Sequence, residues 1–221
     1  MPSAEPARGL PRWAELTIAL PLALASLPLI ALLALLVRLT SGGPAFFRQT
    51  RIGLHGEPFA IVKLRTMSAA PPSQVRSRPS APSVTASGDA RVTALGRVLR
   101  ATKLDELPQL WNVLRGEMAL VGPRPEVPRF VDLADPAWHR VLGVRPGITD
   151  PTSLALRDEE AVLAELGGDP DTTYRERLLP RKLASQWAYI EHRSAASDLA
   201  VLARTAAAAV GLARLRRDEL S

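Results

Sequence analysis

The stretch Leu16 to Val37, LTIALPLALASLPLIALLALLV, constrains this chain more than any other. It runs 22 residues without a charge, with Arg12 and Glu15 before it and Arg38 after. About 20 apolar residues in a helix cross the hydrocarbon core of a bilayer. This end of the chain is therefore expected in lipid. A secretory signal does not fit, because the apolar stretch is too long and no small-x-small cleavage site precedes a mature start. Pro21 and Pro28 lie inside it. Each removes a backbone donor and presses its ring on the preceding turn, so the helix should kink or break. Arginines flank both ends: Arg8 and Arg12 on one side, Arg38, Arg48 and Arg51 on the other. Positive charge marks the cytoplasmic side, and both flanks carry it. The residues alone leave two arrangements open. One is a re-entrant helical hairpin that turns back near Pro28. The other is an ordinary transmembrane helix kinked by proline.

At 221 residues the chain has room for one ordinary domain besides this segment. Its formal charge of +6 and pI of about 10.6 suit an anionic membrane, a phosphorylated substrate or a nucleic acid. Aromatic residues make up only 5%, too few for the stacking platforms of a single-strand binder. There is no cysteine, which excludes disulfides and cysteine metal sites. His55, His139 and His192 lie far apart without ligand spacing, so zinc is not expected.

Thr40-Ser41-Gly42-Gly43-Pro44 should end the apolar helix. Ala45 to Met67 reads as two short strands joined by a turn at His55-Gly56-Glu57-Pro58. Lys63 and Arg65, two apart, should share a strand face. Ser68 to Gly88 is rich in Ser, Pro and Ala and is expected to be a mobile loop. Helical periodicity resumes in Asp89 to Arg100, an amphipathic stretch suited to a core or a lipid surface. It returns from Leu104, with a stop at Arg115-Gly116. Pro108 is tolerated only in a first turn, which puts that helix's start near Asp105 or Glu106. Further on, Glu159 to Leu166 reads as a short helix. Arg175 to Glu191 reads as a helix broken at Pro180, and Ala195 to Leu215 as a longer, alanine-rich one. No internal repeat is visible.

Two acids at a helix start are most often a cap that satisfies free N–H groups and the dipole. Three features favour chemistry instead. The helix after Asp105-Glu106 is strongly apolar. Gly122-Pro123-Arg124-Pro125 holds an arginine on a stiff turn, and Arg145-Pro146-Gly147 repeats the device. Together with the strand cations, these arginines fit a phosphate-binding cluster. Acids beside such a cluster point to a divalent ion bridging carboxylate and phosphate. A carboxylate can also attack phosphorus and form an acyl phosphate.

The strings PAFFRQTRIG, FAIVKLRTM, DARVTALGRVLRATKLDELPQLWNVLRGEMALVGPRP and VRPGIT complete the picture. From about Arg12 to Thr205 the sequence resembles the bacterial sugar transferase family. These are monotopic phosphoglycosyl transferases that place the first sugar-phosphate on a polyprenol phosphate carrier. The resemblance implies an α+β, mainly helical fold. It would have an N-terminal re-entrant membrane helix hairpin, amphipathic helices on the membrane surface and a small β element. Residues 1–40 would anchor the protein, in its small single-hairpin form. Residues 41–221 would form a cytoplasmic catalytic domain, with the insert at 68–88. Asp105 matches the family's nucleophile and metal-binding aspartate, and Glu106 its partner, as base or orienter. Lys63, Arg124, Arg145 and, less directly, Arg65 match positions around phosphate. Pro28 matches the membrane break. Implied partners are a UDP-sugar, polyprenol (undecaprenyl) phosphate, Mg²⁺, the bilayer of a bacterial inner membrane and, as an open option, a second copy of the chain. The implied pathway is exopolysaccharide or glycoconjugate synthesis. Nucleic acid is not expected.

The sequence departs from the family at three places. Pro28 follows Leu27, with Ser26 one place earlier, where Ser-Pro is common. The basic-Arg-x-x-Asp motif before the hairpin is here Pro11-Arg12-Trp13-Ala14-Glu15. After VRPGIT comes Asp150-Pro151 rather than glycine and an aromatic, a change that bears on the sugar accepted. The alternative from another class is a non-catalytic membrane scaffold whose basic surface binds anionic lipid. A nucleic-acid binder would leave the apolar N-terminus unexplained.

Overall fold

The computed structural model describes residues 9–68, 89–156 and 159–209. The expected mobile insert lies outside the described residues except for Ser68, as do Arg8 and residues 210–215 of the expected last helix. The apolar stretch forms α1 (Arg12–Ser41), 30 residues ended by Gly42 in the left-handed region at φ 68°. A helix of that length is about 45 Å long. The expected break at Pro28 does not interrupt it: α1 continues through Pro21 and Pro28. The Ser26 hydroxyl donates to the Ala23 carbonyl at 2.9 Å, in the turn that proline loosens.

One stripe of α1 is buried, at Glu15 and Ala19 near its start and Leu33, Val37 and Ser41 near its end. The opposite face is exposed leucine, including Leu20, Leu24, Leu27, Leu32 and Leu39. The start packs with the main core of Val113, Met118, Leu120 and Trp138, through Ala19 and Ile18. The end packs on Leu64 and Leu99. Both ends therefore rest on the same globular body.

β1 (Phe46–Ile52) and β2 (Pro58–Leu64) pair antiparallel, with Phe46 opposite Leu64 and Ile52 opposite Pro58. Pro58 opens β2 rather than closing the turn, as suits a residue with no N–H to donate. α2 (Ala94–Thr102) starts later than the periodicity implied, because the Thr93 hydroxyl accepts from the Gly96 amide and caps it there. Leu99 of α2 faces the core while Val98 is exposed. Asp105 and Glu106 lie in a 3₁₀ segment, Leu104–Gln109, not in an α-helix. Pro108 lies inside it, and α3 (Leu110–Arg115) begins two residues later.

The periodicity gave no hint of a parallel pair, β3 (Ala119–Val121) with β4 (Gly147–Thr149). Then come α4 (Pro136–Val141) before β4, and α5 (Pro151–Ala155), α6 (Glu159–Leu166) and α7 (Pro170–Thr173) after it. A π-helical turn, Tyr174–Leu178, leads into α8 (Leu179–His192). The helix expected to break at Pro180 instead widens before it. Pro180 falls in the first turn of α8, where its missing N–H costs little. α9 (Ala195–Ala209) closes the described chain.

Candidate active site

Three elements bring the acids and cations together. The 3₁₀ segment carries Asp105 and Glu106 after Lys103, whose φ of 60° turns the chain sharply. Asn112 of α3 docks this region on the hairpin. Its Nδ2 donates to the Ala60 carbonyl at 2.8 Å, and its Oδ1 accepts from the Val62 amide at 3.3 Å. Lys63 on β2 is thereby set against Glu106.

Arg124 comes from the loop after β3, a mount fixed by its backbone. Gly122 donates to the Thr149 carbonyl at 3.0 Å, and Gly147 donates to that of Pro123 at 3.0 Å. The Arg124 amide donates to Asp150 Oδ2 at 2.9 Å. Arg51 Nη1 donates to the Pro125 carbonyl at 2.9 Å. Ile52 donates to the Glu126 carbonyl at 2.9 Å. A Cβ on Gly147 would lie 2.1 Å from the Gly122 nitrogen, so only glycine lets the two loops meet. Behind the loop, Glu126 accepts from Lys182 at 2.8 Å and from the Tyr174 hydroxyl, all three buried.

Glu106 takes up the cations. Arg124 donates to it twice, Nη2 to Oε1 at 2.6 Å and Nη1 to Oε2 at 3.2 Å. Lys63 Nζ donates to Oε1 at 2.9 Å. Burial would raise the Glu106 carboxyl, but Arg124 and Lys63 overcome it and hold the group well below the usual carboxylate range. Asp105 is the reverse case. It is 6% exposed, and its Oδ1 is buried with no hydrogen-bond partner. Burial pushes its carboxyl above the usual range, against the pull of Lys63 and with the push of Glu106.

The other expected site residues lie apart. Arg65 follows the end of β2 and its Nε is buried without a partner, whereas Lys63 bonds Glu106. Arg145 Nε donates to the Gly116 carbonyl at 3.2 Å. It lines an open cavity of about 290 Å³ with Arg12, Glu15, His55 and Arg193, a cavity that includes neither acid of the pair. Arg12 and Glu15 do not stand free at an interface. Arg12 donates to the carbonyls of Val113 and Met118, and Glu15 accepts from Leu120. This ties the start of α1 to α3 and β3.

Two members of the site's frame, Asn112 and Glu126, escaped the sequence reading, while Arg51 was read there only as flanking charge and Asp150 only as a departure from the family. Only Asp150 left a local signal, an Asp-Pro pair that marks a helix start.

Among the described residues no three His, Cys, Asp or Glu side chains group as a metal site. Mg²⁺ needs less, since it commonly binds one or two carboxylates plus substrate phosphates and water. The Asp105 carboxylate, not tied up by both its oxygens, fits that arrangement, while both oxygens of Glu106 are engaged.

A buried carboxylate with an unpartnered oxygen stands beside a glutamate that holds a lysine and an arginine, on a body packed against an apolar helix of membrane length. The model of the bacterial sugar transferase family matches residues 7–211. The chain belongs to that family. It is 42% identical over 183 residues to the UDP-glucose:undecaprenyl-phosphate glucose-1-phosphate transferase of Caulobacter vibrioides, covering 80% of this chain and 61% of that protein. It is 34% identical over 200 residues to the exopolysaccharide production protein ExoY of Sinorhizobium fredii, covering 86% and 81%. The Escherichia coli UDP-glucose:undecaprenyl-phosphate glucose-1-phosphate transferase is 42% identical over 150 residues, 64% of this chain and 30% of that protein. The chain thus spans less than two thirds of the Caulobacter relative and about a third of the Escherichia coli one.

Proposed function

We propose that this protein moves a sugar-1-phosphate from a UDP-sugar to undecaprenyl or a related polyprenol phosphate, by way of a phosphosugar held on Asp105. The observation that carries this reading is the pairing of a buried, unpartnered Asp105 Oδ1 with a neighbouring Glu106 that binds both cations. In the first step Asp105 Oδ1 attacks the β-phosphorus, the bond to the bridging oxygen breaks, and UMP leaves with that electron pair. In the second step a phosphate oxygen of the lipid attacks the same phosphorus, and the Asp105 carboxylate is released. Lys63 and Arg124 lie where they can take up phosphate charge. Glu106 acts as the orienter that holds these cations, rather than as a base, because three cationic hydrogen bonds keep it ionised and engaged. Mg²⁺, bound with the diphosphate on Asp105, would offset charge on the phosphates.

The anchoring is part of the proposal. α1 enters and leaves through one leaflet, a reading supported by the packing of both its ends on one body. Arginine at each end, Arg12 and Arg38, supports a cytoplasmic position for that body at the inner membrane. Val98 of α2 and Trp111 of α3, both more than half exposed, rest at the lipid surface.

The test is UMP release by membrane-reconstituted protein given polyprenol phosphate and each of a set of UDP-sugars, UDP-glucose first. Asp105→Asn should still partition into membrane and release no UMP. Full activity in that variant rejects the covalent step.

A further inference from the structure

Asp150 is the residue at which the sequence leaves its family's string after VRPGIT, and it is fully buried. An isolated carboxylate is costly to bury, so its partners define what it does. One oxygen, Oδ1, accepts from the Ser153 amide at 2.6 Å and caps α5. The other, Oδ2, accepts from the Ser153 hydroxyl at 3.1 Å and from the Arg124 amide at 2.9 Å. A helix cap needs only the first of these. The bond to Arg124 crosses from the end of β4 to the loop after β3 and ends on the backbone of the arginine that grips Glu106. Pro123 and Pro125 on either side have no N–H, so Arg124 supplies the only amide within Pro123-Arg124-Pro125. Burial pushes the Asp150 carboxyl above its usual range, and the donors from Ser153 and Arg124 offset part of this.

We infer that Asp150 is a positioning residue for the transfer reaction: by accepting the Arg124 amide it aims the guanidinium at Glu106 and at the substrate phosphate that Glu106 stands beside. This rests on the transferase reading given above. Displacing a catalytic group by about 1 Å can cost about a hundredfold in rate, so a small tilt of this loop should be visible in kinetics.

Asp150→Ser separates the two roles. Serine caps helices well but is too short to reach Arg124. kcat and KM for the UDP-sugar, together with melting temperature, are measured for the wild type, Asp150→Ser, Arg124→Lys and the double variant. The expected result is a fall of about tenfold in kcat/KM for Asp150→Ser, with melting within about 5 °C of wild type. In the Arg124→Lys background the same substitution should cost less than about twofold, because the group it aims is already compromised. Should Asp150→Ser not fold, the isosteric Asp150→Asn carries the same comparison, since it keeps one acceptor for two competing backbone donors. Activity within about twofold of wild type, or losses that multiply in the double variant, overturn the inference. A wild type that releases UMP from no UDP-sugar rejects instead the transferase reading on which it rests.

Discussion

Asp105 and Glu106 are neighbours with opposite environments. Glu106 is the shared anion of two cations, and Asp105 is a buried carboxylate with one oxygen left over. Their effects on stability should therefore differ in sign. Glu106→Gln leaves Lys63 and Arg124 without their common partner, and breaking a buried pair costs about 3 kcal/mol or more. It should lower the melting temperature by several degrees, whereas a residue serving only as a base would cost activity without stability. Asp105→Asn removes a buried charge whose desolvation outweighs the pull of Lys63, and it should melt above the wild type at neutral pH while losing all transfer. A thermal scan of the two variants beside the wild type checks both. The pair was legible in the sequence as two acids at a helix start. Their division of labour was not, because it depends on β2 and on the loop after β3, 43 and 18 residues away from Glu106.

At the scale of elements, what the sequence showed was what local pattern controls. The apolar run became α1, the two short strands became β1 and β2, and the stop at Gly116 held, with its φ at 83°. What it hid was non-local or short. β3 and β4 are three residues each, and their pairing is set by two glycines in backbone contact. The 3₁₀ segment and the π turn are compromises around Pro108 and Pro180 that simple periodicity does not encode. Arg145 shows the consequence. Its proline-framed loop does pack on the Arg124 loop, but through backbone, and its side chain points to Gly116. α1 supports the sharpest prediction at this scale. The chain has no cysteine, so single cysteines placed before Arg12 and after Arg38 report topology without background. Both should be labelled by an impermeant thiol reagent from the same side of the membrane. Labelling from opposite sides would establish a spanning helix.

For the whole molecule, a chain of net charge +6 carries an exposed leucine face on a helix that packs at both ends against the rest of the fold. A passive lipid-binding scaffold would account for the charge and the leucines. It would not account for a buried acid with an unpartnered oxygen, or for a loop whose backbone is bonded at every residue from Gly122 to Glu126 to hold one arginine. The central claim is that Asp105 carries the phosphosugar, and exchange of labelled UMP into UDP-sugar tests it most directly. With no lipid acceptor present, the wild type should incorporate label into the UDP-sugar, and Asp105→Asn should incorporate none. A wild type that transfers sugar-phosphate to the lipid yet shows no such exchange would contradict the covalent route.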